Sequence, residues 1–518
     1  MKILLVTGLL AEELVKNYIK DSSLDIEVLA LKVPVAAFLT PKIIADALKE
    51  REIKSFDMIF TPGLIRGDTE IIHEVTGIAA FKGPRYAADL PIMIEAIKEV
   101  KFSTTIPACE LLIERLQKKA LEEIEKVEQN QTILLEKPGN FRIKNLAIGK
   151  EFPMRIMAEI VDAALMETIE VQRLAIEFVQ AGANIIDIGM VAGENRPEDA
   201  KRLVEAVKKV ISVPVSIDTL NPEEIKAAIS AGVDIIMSAD AGNIEKIAPY
   251  AQNCTVIVIP TNQSQGYFPK KAQERVQTLE QIISAARNLG ITKILGDLIL
   301  EPTNILESFI AYKQFAERNP EVPIFIGVSN VTELFDADSI GINALLANLS
   351  SEINASILLA TEKSDKAKGT VKEEVIAAKM MFLAKKRSSV PKDLGINLLV
   401  LKDKRNREEK YNQEQEKDAK IIIAAEKIEP TILDEKNSFR ITLDRPKKTI
   451  VATHYISTKM DKPTTIIKGK TAEDIFSEII KRNLIAQNDH AGYLGKELMK
   501  AEIALKIGKE YIQDKDIF

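Results

Sequence analysis

Eight short apolar runs within residues 154–361 constrain the fold more than any other feature of this sequence. Each run is rich in Ile, Val and Leu, and such continuous runs are typical of strands buried on both faces of a parallel sheet. Amphipathic helical patterns separate the runs. Eight such units in about 250 residues fit a closed barrel better than an open sheet. We therefore predict a (β/α)8 barrel over residues 140–390, with strands at 154–160, 184–190, 213–218, 234–240, 255–260, 293–298, 323–329 and 353–361.

The chain has 518 residues, so further domains must flank this barrel. Residues 1–130 alternate strand and helix patterns, which predicts an open α/β domain with a charged helix near 108–128 at its end. Its strands are predicted at 3–8, 26–31, 58–63 and 77–83. The loops at 61–68 and 83–91 follow two of these strands. Their Gly and Pro residues suit turns, and crevices at such strand ends also hold ligands in open α/β sheets.

Residues 394–518 mix strand and helix patterns and predict a C-terminal α+β domain. The strand-like segments are INLLVL, KIIIAA and TIVATHYI, and the stretch 403–417 between them is rich in lysine and glutamate. We expect that stretch to be an exposed loop. Residues 490–504 have helical apolar spacing and should pack on a sheet or a partner.

The net charge of −6 argues against a nucleic-acid or anionic-membrane surface as the main partner. Two cysteines exclude a disulfide framework and a four-cysteine zinc site. No apolar stretch approaches the ~20 residues that a membrane helix needs, and acidic residues follow the first apolar run too soon for a signal peptide. We expect a cytoplasmic protein. The three histidines lie outside the barrel and indicate no histidine-rich metal site.

Polar residues stand where the predicted barrel strands end, which is where the active sites of such barrels lie. A carboxylate in apolar sequence is costly unless a ligand, a metal or backbone donors satisfy it. One such acid is usually a structural cap, but six at corresponding strand ends indicate a binding site. The polar strand-end residues are Glu159, Asp187, Asp218, Asp240, Asn262, Asp297, Ser329, Asn330 and Glu362.

Two segments of the barrel resemble a known family. GANIIDIG at 182–189, followed by ENRP at 194–197, and VPVSIDT at 213–219 resemble the second and third strands of dihydropteroate synthase. The same segments are similar to the pterin-binding barrels of corrinoid-dependent methyltransferases. With its flanking domains, the chain resembles the archaeal dihydropteroate synthase-related proteins. The resemblance implies a pterin held by Asp187, Asp218 and Asp297.

A pterin suits these acids chemically. Its pyrimidinone edge presents a 2-amino group and a ring N–H side by side, and a carboxylate can accept both hydrogen bonds. Asp297 and Asp218, on different strands, are predicted to hold opposite ends of the bicycle. Further substrate contacts are predicted for Asp240, Ser329 and Asn330, since an Asn amide can donate or accept.

The sequence also departs from the synthases. Residues 237–238 are MS where the synthases carry an Asn-Asp pair, and 158–159 are AE in place of Asn-x-Thr. Residues 361–363 are TEK in place of the Arg and His that hold diphosphate. Strand seven ends GVSN at 327–330, which is the methyltransferase form. The matching segments thus support pterin binding, whereas standard diphosphate chemistry lacks its usual residues.

The first functional hypothesis is an enzyme that joins a dihydropterin-6-methyl diphosphate to an arylamine, in folate or methanopterin biosynthesis. Asp187, Asp218 and Arg196 are its predicted catalytic residues. Mg²⁺, with Glu159 as a candidate ligand, and cationic residues would stabilise the leaving diphosphate. The cations predicted near the strand ends are Arg155, Arg196 and Lys363.

Two other hypotheses remain open at the level of sequence. One is a methyltransferase or one-carbon carrier that binds a methylated pterin and acts with a corrinoid protein, with Asn330 stabilising the charge on the ring. The other is a non-catalytic pterin-binding protein. Because barrel enzymes of this size commonly pair, a homodimer is the default expectation.

Overall fold

The computed structural model describes residues 1–402, 420–423, 437–456 and 462–517. Internal contacts divide the chain into two units, Met1–Lys363 with Thr370–Leu398, and Ser364–Gly369 with Leu399–Phe518. The loop predicted at 403–417 lies outside the described residues. No helix in the described part of the chain is both long and apolar enough to cross a bilayer.

The first unit begins with a four-stranded parallel sheet, and all four of its predicted strands are confirmed. The strands are β1 Lys2–Gly8, β2 Asp25–Leu31, β3 Met58–Thr61 and β4 Ala79–Lys82. Their spatial order is β2-β1-β3-β4. The helices within and after this sheet are α1 Glu12–Ile19, α2 Pro41–Lys49, α3 Glu70–Thr76, α4 Leu90–Glu95, α5 Ala108–Leu111, α6 Ile113–Gln129 and α7 Gln131–Leu134. The helix predicted near 108–128 corresponds to α5 and α6.

The middle of the chain is a closed barrel of eight parallel strands, as the apolar runs predict. After the short strands β5 Phe141–Ile143 and β6 Leu146–Ile148, the barrel strands are β7 Arg155–Ile160, β8 Ile185–Gly189, β9 Val215–Asp218, β10 Ile235–Ala239, β11 Thr255–Val258, β12 Lys293–Gly296, β13 Ile324–Ile326 and β14 Ala355–Thr361. The sheet closes through the pairing of β14 with β7. All carboxyl ends of the strands therefore lie at one mouth of the barrel.

Helices alternate with the barrel strands and cover the outer face of the barrel. They are α8 Thr168–Ala181, α9 Pro197–Lys208, α10 Pro222–Ser230, α11 Ile244–Ala251, α12 Ala272–Asn288, α13 Ile305–Arg318, α14 Ser329–Thr332, α15 Ser339–Glu352 and α16 Thr370–Lys386. Helix α9 shows why they form: Pro197 occupies its first turn with two acidic residues, and its buried residues recur with helical spacing. This buried face includes Ala200, Leu203, Val204 and Val207.

The antiparallel hairpin β5–β6 packs into the barrel interior. Its Ile143 and Ile148 are buried with inward-facing strand residues such as Met157, Ile235 and Leu295. These inward residues are large and apolar, so the interior is a packed core rather than a channel. This hairpin was not predicted from the sequence, because its strands have only three residues each.

The second unit contains an antiparallel sheet with strands β15 Asn437–Asp444, β16 Thr449–Ile456 and β17 Thr465–Gly469, in that spatial order. Helices α17 Ala472–Lys481 and α18 Asn488–Ile507 follow. Leu494, Leu498 and Ala501 of α18 share a core with Ile450 and Ala452 of β16. The predicted strand TIVATHYI and the packing of residues 490–504 on a sheet are both confirmed.

The predicted strand INLLVL is wrong. Residues 396–401 form no strand, and the described residues 420–423 of KIIIAA form none either. Ile396 and Leu398 pack against the core of the barrel as irregular chain. The other apolar residues of this run, Leu399, Val400 and Leu401, are exposed, so the run neither forms a strand nor is buried as a whole.

Candidate functional site

Three carboxylates from neighbouring strands meet at the mouth of the barrel. Glu159 on β7 pairs in register with Asp187 on β8, and Gly189 on β8 pairs with Asp218 on β9. One oxygen of each acid lies within 4.8 Å of one oxygen of each of the others. We call Glu159, Asp187 and Asp218 the carboxylate cluster. The parallel register of three adjacent strands creates it, because each acid lies in the carboxyl-terminal part or the middle of its strand.

A glycine makes room for this cluster. A Cβ atom on Gly189 would lie 2.5 Å from Oε1 of Glu159 and 3.2 Å from the carbonyl oxygen of Ile160. Both distances are too short for any other residue to be accommodated without moving its neighbours. The glycine of the GANIIDIG segment therefore allows Glu159 to stand beside the end of β8.

Asp187 is the most deeply placed member of the cluster. Its side chain is fully buried, and neither carboxylate oxygen has a hydrogen-bond partner. A buried ionised carboxylate without partners is very costly, so the group must hold a proton or meet a ligand. Burial raises the pKa of Asp187 well above its ordinary value, and the neighbouring charges of Asp218 and Glu159 raise it further.

The other two members of the cluster also bind protons near neutral pH. Burial, followed by repulsion from Asp218, raises the pKa of Glu159 to about 8. Burial, followed by repulsion from Asp297, raises the pKa of Asp218 to about 7. Neither carboxylate accepts a hydrogen bond from the described residues. The cluster can therefore take up or release protons near neutrality, and it offers acceptor oxygens to a ligand.

Asp297 follows β12 and is held in a fixed position. Its Oδ1 accepts hydrogen bonds from the hydroxyl of Tyr312 and from the backbone N–H of Ile299, the latter at 2.8 Å. Its Oδ2 accepts none from the described residues. Burial raises the pKa of Asp297 to about 6, although the bond from Tyr312 opposes that rise. Asp297 therefore presents one oriented oxygen to a ligand, rather than the two free oxygens that a full donor fork would need.

Two residues that the sequence analysis missed hold Asp297 in place. Tyr312 lies in the buried face of α13, fifteen residues after Asp297. Arg275 of α12 is fully buried and donates to the carbonyl oxygens of Leu298 and Ile299. Ile299 has φ of +64°, a left-handed conformation that is costly for a β-branched residue and needs such support. The only sequence signals were a tyrosine and an arginine on otherwise apolar helix faces.

The other predicted substrate-binding residues already have partners within the protein. Asp240 is buried and accepts hydrogen bonds from the N–H groups of Gly242 and Gln263 and from the hydroxyl of Thr261. It therefore joins the loops after the fourth and fifth barrel strands. Ser329 and Asn330 open the short helix α14 instead of ending β13.

Ser329 faces inward and Asn330 faces outward. The hydroxyl of Ser329 is buried and accepts a hydrogen bond from the backbone N–H of Thr361 at 2.7 Å. Asn330 is exposed, and its amide donates to the carbonyl oxygen of Leu300 at 3.3 Å. The amide of Asn330 can therefore reorient toward a ligand at the mouth more easily than the hydroxyl of Ser329.

The predicted cations differ in where the structure places them. Arg155 begins β7 at the opposite end of the barrel, where it binds Glu128 and the carbonyl oxygen of Ala147. Its placement near the strand ends that bear the site is therefore wrong. Arg155 is the first residue of β7, whereas Glu159 lies near the carboxyl end of the same strand.

Arg196 and Lys363 do lie at the end of the barrel where the carboxyl ends of the strands form the mouth. The guanidinium of Arg196 pairs with Glu194 and Asp199, and Lys363 pairs with Asp162 at 2.7 Å. The backbone N–H of Arg196 donates to Glu224, a buried acid that the sequence analysis did not single out. Both cations must exchange a protein carboxylate for a ligand before they can bind an anion.

Family comparisons cover three parts of the chain. Residues 161–360 match the family model described as "Pterin binding enzyme". Residues 1–85 match a family of unknown function, DUF6513, and residues 433–514 match the family PterinBD-DUF4346. The pterin-binding match includes Asp187, Asp218 and Asp297.

One relative aligns along the whole chain. The uncharacterized protein MJ0107 of Methanocaldococcus jannaschii is 44% identical over 100% of this chain and 99% of its own length. Dihydropteroate synthase of Streptococcus pyogenes is 28% identical over 128 residues, which are 23% of this chain and 48% of that protein. Among solved structures, dihydropteroate synthase from Stenotrophomonas maltophilia aligns with 49% of this chain and 100% of its own, at 19% identity and a TM-score of 0.40.

Proposed function

Because the chain belongs to the family of the archaeal protein MJ0107 and carries a pterin-binding barrel related to dihydropteroate synthase, we propose that it joins a dihydropterin-6-methyl diphosphate to an arylamine, in folate or methanopterin biosynthesis. The observation that carries the proposal is the carboxylate cluster with Asp297 beside it. These acids converge at the mouth with acceptor oxygens that the described protein groups leave open.

The pterin is bound by its hydrogen-bond donors. Asp297 accepts a hydrogen bond from one donor of the 2-amino and ring N–H edge through Oδ2, since Tyr312 and Ile299 already occupy Oδ1. Asp218 accepts at the other end of the bicycle through oxygens that no described residue uses. Charge-assisted hydrogen bonds of this kind are shorter and stronger than neutral ones. Donors from the ligand would also offset the burial that now raises the pKa values of Asp218 and Asp297.

The reaction forms one bond and breaks one. The arylamine nitrogen attacks the 6-methylene carbon, and the carbon–oxygen bond to the diphosphate breaks with its electron pair leaving on the diphosphate. The carboxylate cluster stabilises the positive character that develops on the pterin. The proton released by the amine leaves with the diphosphate, whose oxygens accept a proton near neutral pH.

The residues present fit a magnesium ion. Hard oxygen ligands suit Mg²⁺, and the two unpartnered oxygens of the buried Asp187 lie beside those of Glu159 and Asp218. Glu159, with its two neighbours, would hold the ion, which when bound supplies positive charge for the leaving diphosphate. Arg196 contributes further charge by exchanging Glu194 or Asp199 for the diphosphate.

Asn330 favours a second candidate, the transfer of a methyl group from a methylated pterin to a corrinoid protein. Its exposed amide follows β13 and can turn toward a ring nitrogen that bears a methyl group. The pairing of Arg196 and Lys363 with acids also fits a reaction that needs no diphosphate site.

One assay separates the two candidates. The protein is incubated with 6-hydroxymethyl-7,8-dihydropterin diphosphate, 4-aminobenzoate and Mg²⁺, and the conjugate and released diphosphate are measured. The synthase proposal expects both products in equal amounts, and it expects Arg196→Ala to lower turnover more than pterin affinity. Arg173→Ala is the matched control, because Arg173, on α8, is also paired with two acids. If no conjugate forms, and if the protein binds a methylated pterin with an affinity that Asn330→Ala lowers, the methyl-transfer candidate replaces the synthase proposal.

A further inference from the structure

A cavity of about 320 Å³ lies at the carboxyl ends of the N-terminal sheet. In the order β2-β1-β3-β4, β2 lies on one side of β1 and β3 lies on the other side. The crevice between β1 and β3 is therefore a topological switch point, the place where open parallel sheets bind ligands. Thr7 of β1 and Thr61 of β3 line the cavity at this point.

The loops beside the cavity are locked to each other. The N–H of Gly63 donates to the carbonyl oxygen of Pro84, and the N–H of Gly83 donates to that of Thr61. A Cβ atom on Gly63 would lie 2.4 Å from the carbonyl oxygen of Gly83, so only glycine permits this approach. The glycines of the loops at 61–68 and 83–91 thus fix one wall of the cavity, which is pre-formed rather than created by a ligand.

The cavity has an apolar floor and an exposed apolar rim. Leu5, Phe60 and Leu90 form part of the floor and are buried. On the rim, the exposed fractions of Leu10 and Leu14 are 77% and 47%. Large apolar side chains exposed around a cavity of this size are characteristic of a binding site.

The charges around the cavity disfavour an anionic ligand. Among the described residues that line it, Arg85 is the only charged one. Its guanidinium is almost fully buried and pairs with Glu110 and with Asp393. The first turn of α1 carries Glu12 and Glu13, which counter the attraction of that helix end for an anion. A phosphate or carboxylate would therefore find no available positive charge.

Two hydroxyl groups remain for a neutral polar atom. Thr7 and Tyr86 line the cavity, and neither hydroxyl has a hydrogen-bond partner in the described part of the chain. We propose that this cavity binds an uncharged small molecule with an apolar ring or branched hydrocarbon and a hydroxyl or carbonyl oxygen. The apolar part occupies the floor, and the oxygen meets these hydroxyls. The site is independent of the function proposed for the barrel.

The probe for this site is the neutral fluorophore N-phenyl-1-naphthylamine, titrated into the full chain. Its anionic counterpart is 8-anilinonaphthalene-1-sulfonate, which has the same rings and a negative charge. We expect one neutral probe to bind per chain, and the anion to bind at least tenfold more weakly. Leu14→Glu should weaken binding of the neutral probe at least tenfold. Leu121→Glu is the matched control, since Leu121 is also helical and its exposed fraction is 46%, and it should change binding less than twofold.

Three results would overturn the proposal. The first is equal affinity of the neutral probe for the wild type and for a folded Leu14→Glu variant, with folding checked by thermal unfolding. The second is binding of the anionic probe as tight as that of the neutral one. The third is displacement of the neutral probe by a saturating reduced pterin, which would place the probe in the barrel. Thr7→Val keeps the shape of the side chain and should weaken an oxygen-bearing probe such as 1-naphthol more than N-phenyl-1-naphthylamine.

Discussion

Glu159 and Asp187 stand opposite each other in register on adjacent parallel strands, and their carboxylates lie within 4.8 Å. Two negative charges this close in a buried site repel strongly, so the protein retains protons there that the unfolded chain would release. Asp218, on the next strand, extends this effect. The same arrangement that suits a ligand therefore makes the unliganded barrel sensitive to pH.

Stability of the unliganded protein should fall as the pH rises through neutrality. The folded pKa of Glu159, about 8, lies above its unfolded value. Its stabilising contribution is therefore fully present below the unfolded pKa near ~4.3 and is lost as the pH rises through about 8. Glu159→Gln removes this titration. Between pH 5 and pH 8, the free energy of unfolding of the variant should therefore fall by roughly 1–3 kcal/mol less than that of the wild type.

Urea unfolding at both pH values measures this difference. Glu52→Gln, at an exposed position, is the control and should follow the wild type. Parallel curves of stability against pH for the wild type and Glu159→Gln would contradict the account of the cluster.

Gly189→Ala should disturb the site more than the fold. The added Cβ would lie 2.5 Å from Oε1 of Glu159, so this side chain must move. Overpacking of this kind costs roughly 1–3 kcal/mol, and pterin affinity should fall with it. Gly341→Ala is the control, because its Cβ would meet nothing within 4 Å and α15 should gain slightly in stability. Calorimetric titration and thermal unfolding of both variants check the prediction, which wild-type affinity in Gly189→Ala would refute.

Tyr312→Phe should weaken pterin binding and shift its pH dependence. The variant loses the hydroxyl that donates to Asp297, and that bond opposes the rise in the pKa of this carboxyl. The carboxylate should therefore form only at higher pH, and the affinity profile should move to higher pH. A charge-assisted hydrogen bond contributes roughly 1.5–3 kcal/mol. Tyr250→Phe, at an exposed tyrosine, should leave the profile unchanged. An unmoved profile in Tyr312→Phe would show that this bond does not position Asp297.

The barrel was predictable because its signal is repetitive. Eight apolar runs can be buried on both faces only in a parallel sheet covered by helices, and closing that sheet brings all carboxyl ends together. That geometry is why Asp187, Asp218 and Asp297 could be expected at one site. The sequence could not show that Asp240 is already fully engaged by loop donors, since those donors are mostly backbone N–H groups.

Contacts between elements account for what the sequence did not predict. Tyr312 donates to Asp297, and Arg275 donates to the carbonyl oxygen of Ile299. Both lie on helix faces whose sequence is typical of buried core. Arg155 was misplaced because it occupies the amino-terminal end of β7, whereas the site lies at the carboxyl ends of the strands. The strand expected at 396–401 did not form: Ile396 and Leu398 pack partly on the barrel core, and Leu399, Val400 and Leu401 are exposed and belong to no strand.

Titration calorimetry with 6-hydroxymethyl-7,8-dihydropterin tests the central claim, pterin binding by the acids at the barrel mouth. The wild type should bind one pterin per chain. Asp218→Asn should weaken binding at least tenfold, as expected when a charge-assisted hydrogen bond of roughly 1.5–3 kcal/mol is lost. Asp234→Asn is the matched control: Asp234 precedes β10 at the opposite end of the barrel, where it accepts from Val215, and its change should leave affinity within twofold. No heat of binding in the wild type, or equal affinity in Asp218→Asn, would contradict the account.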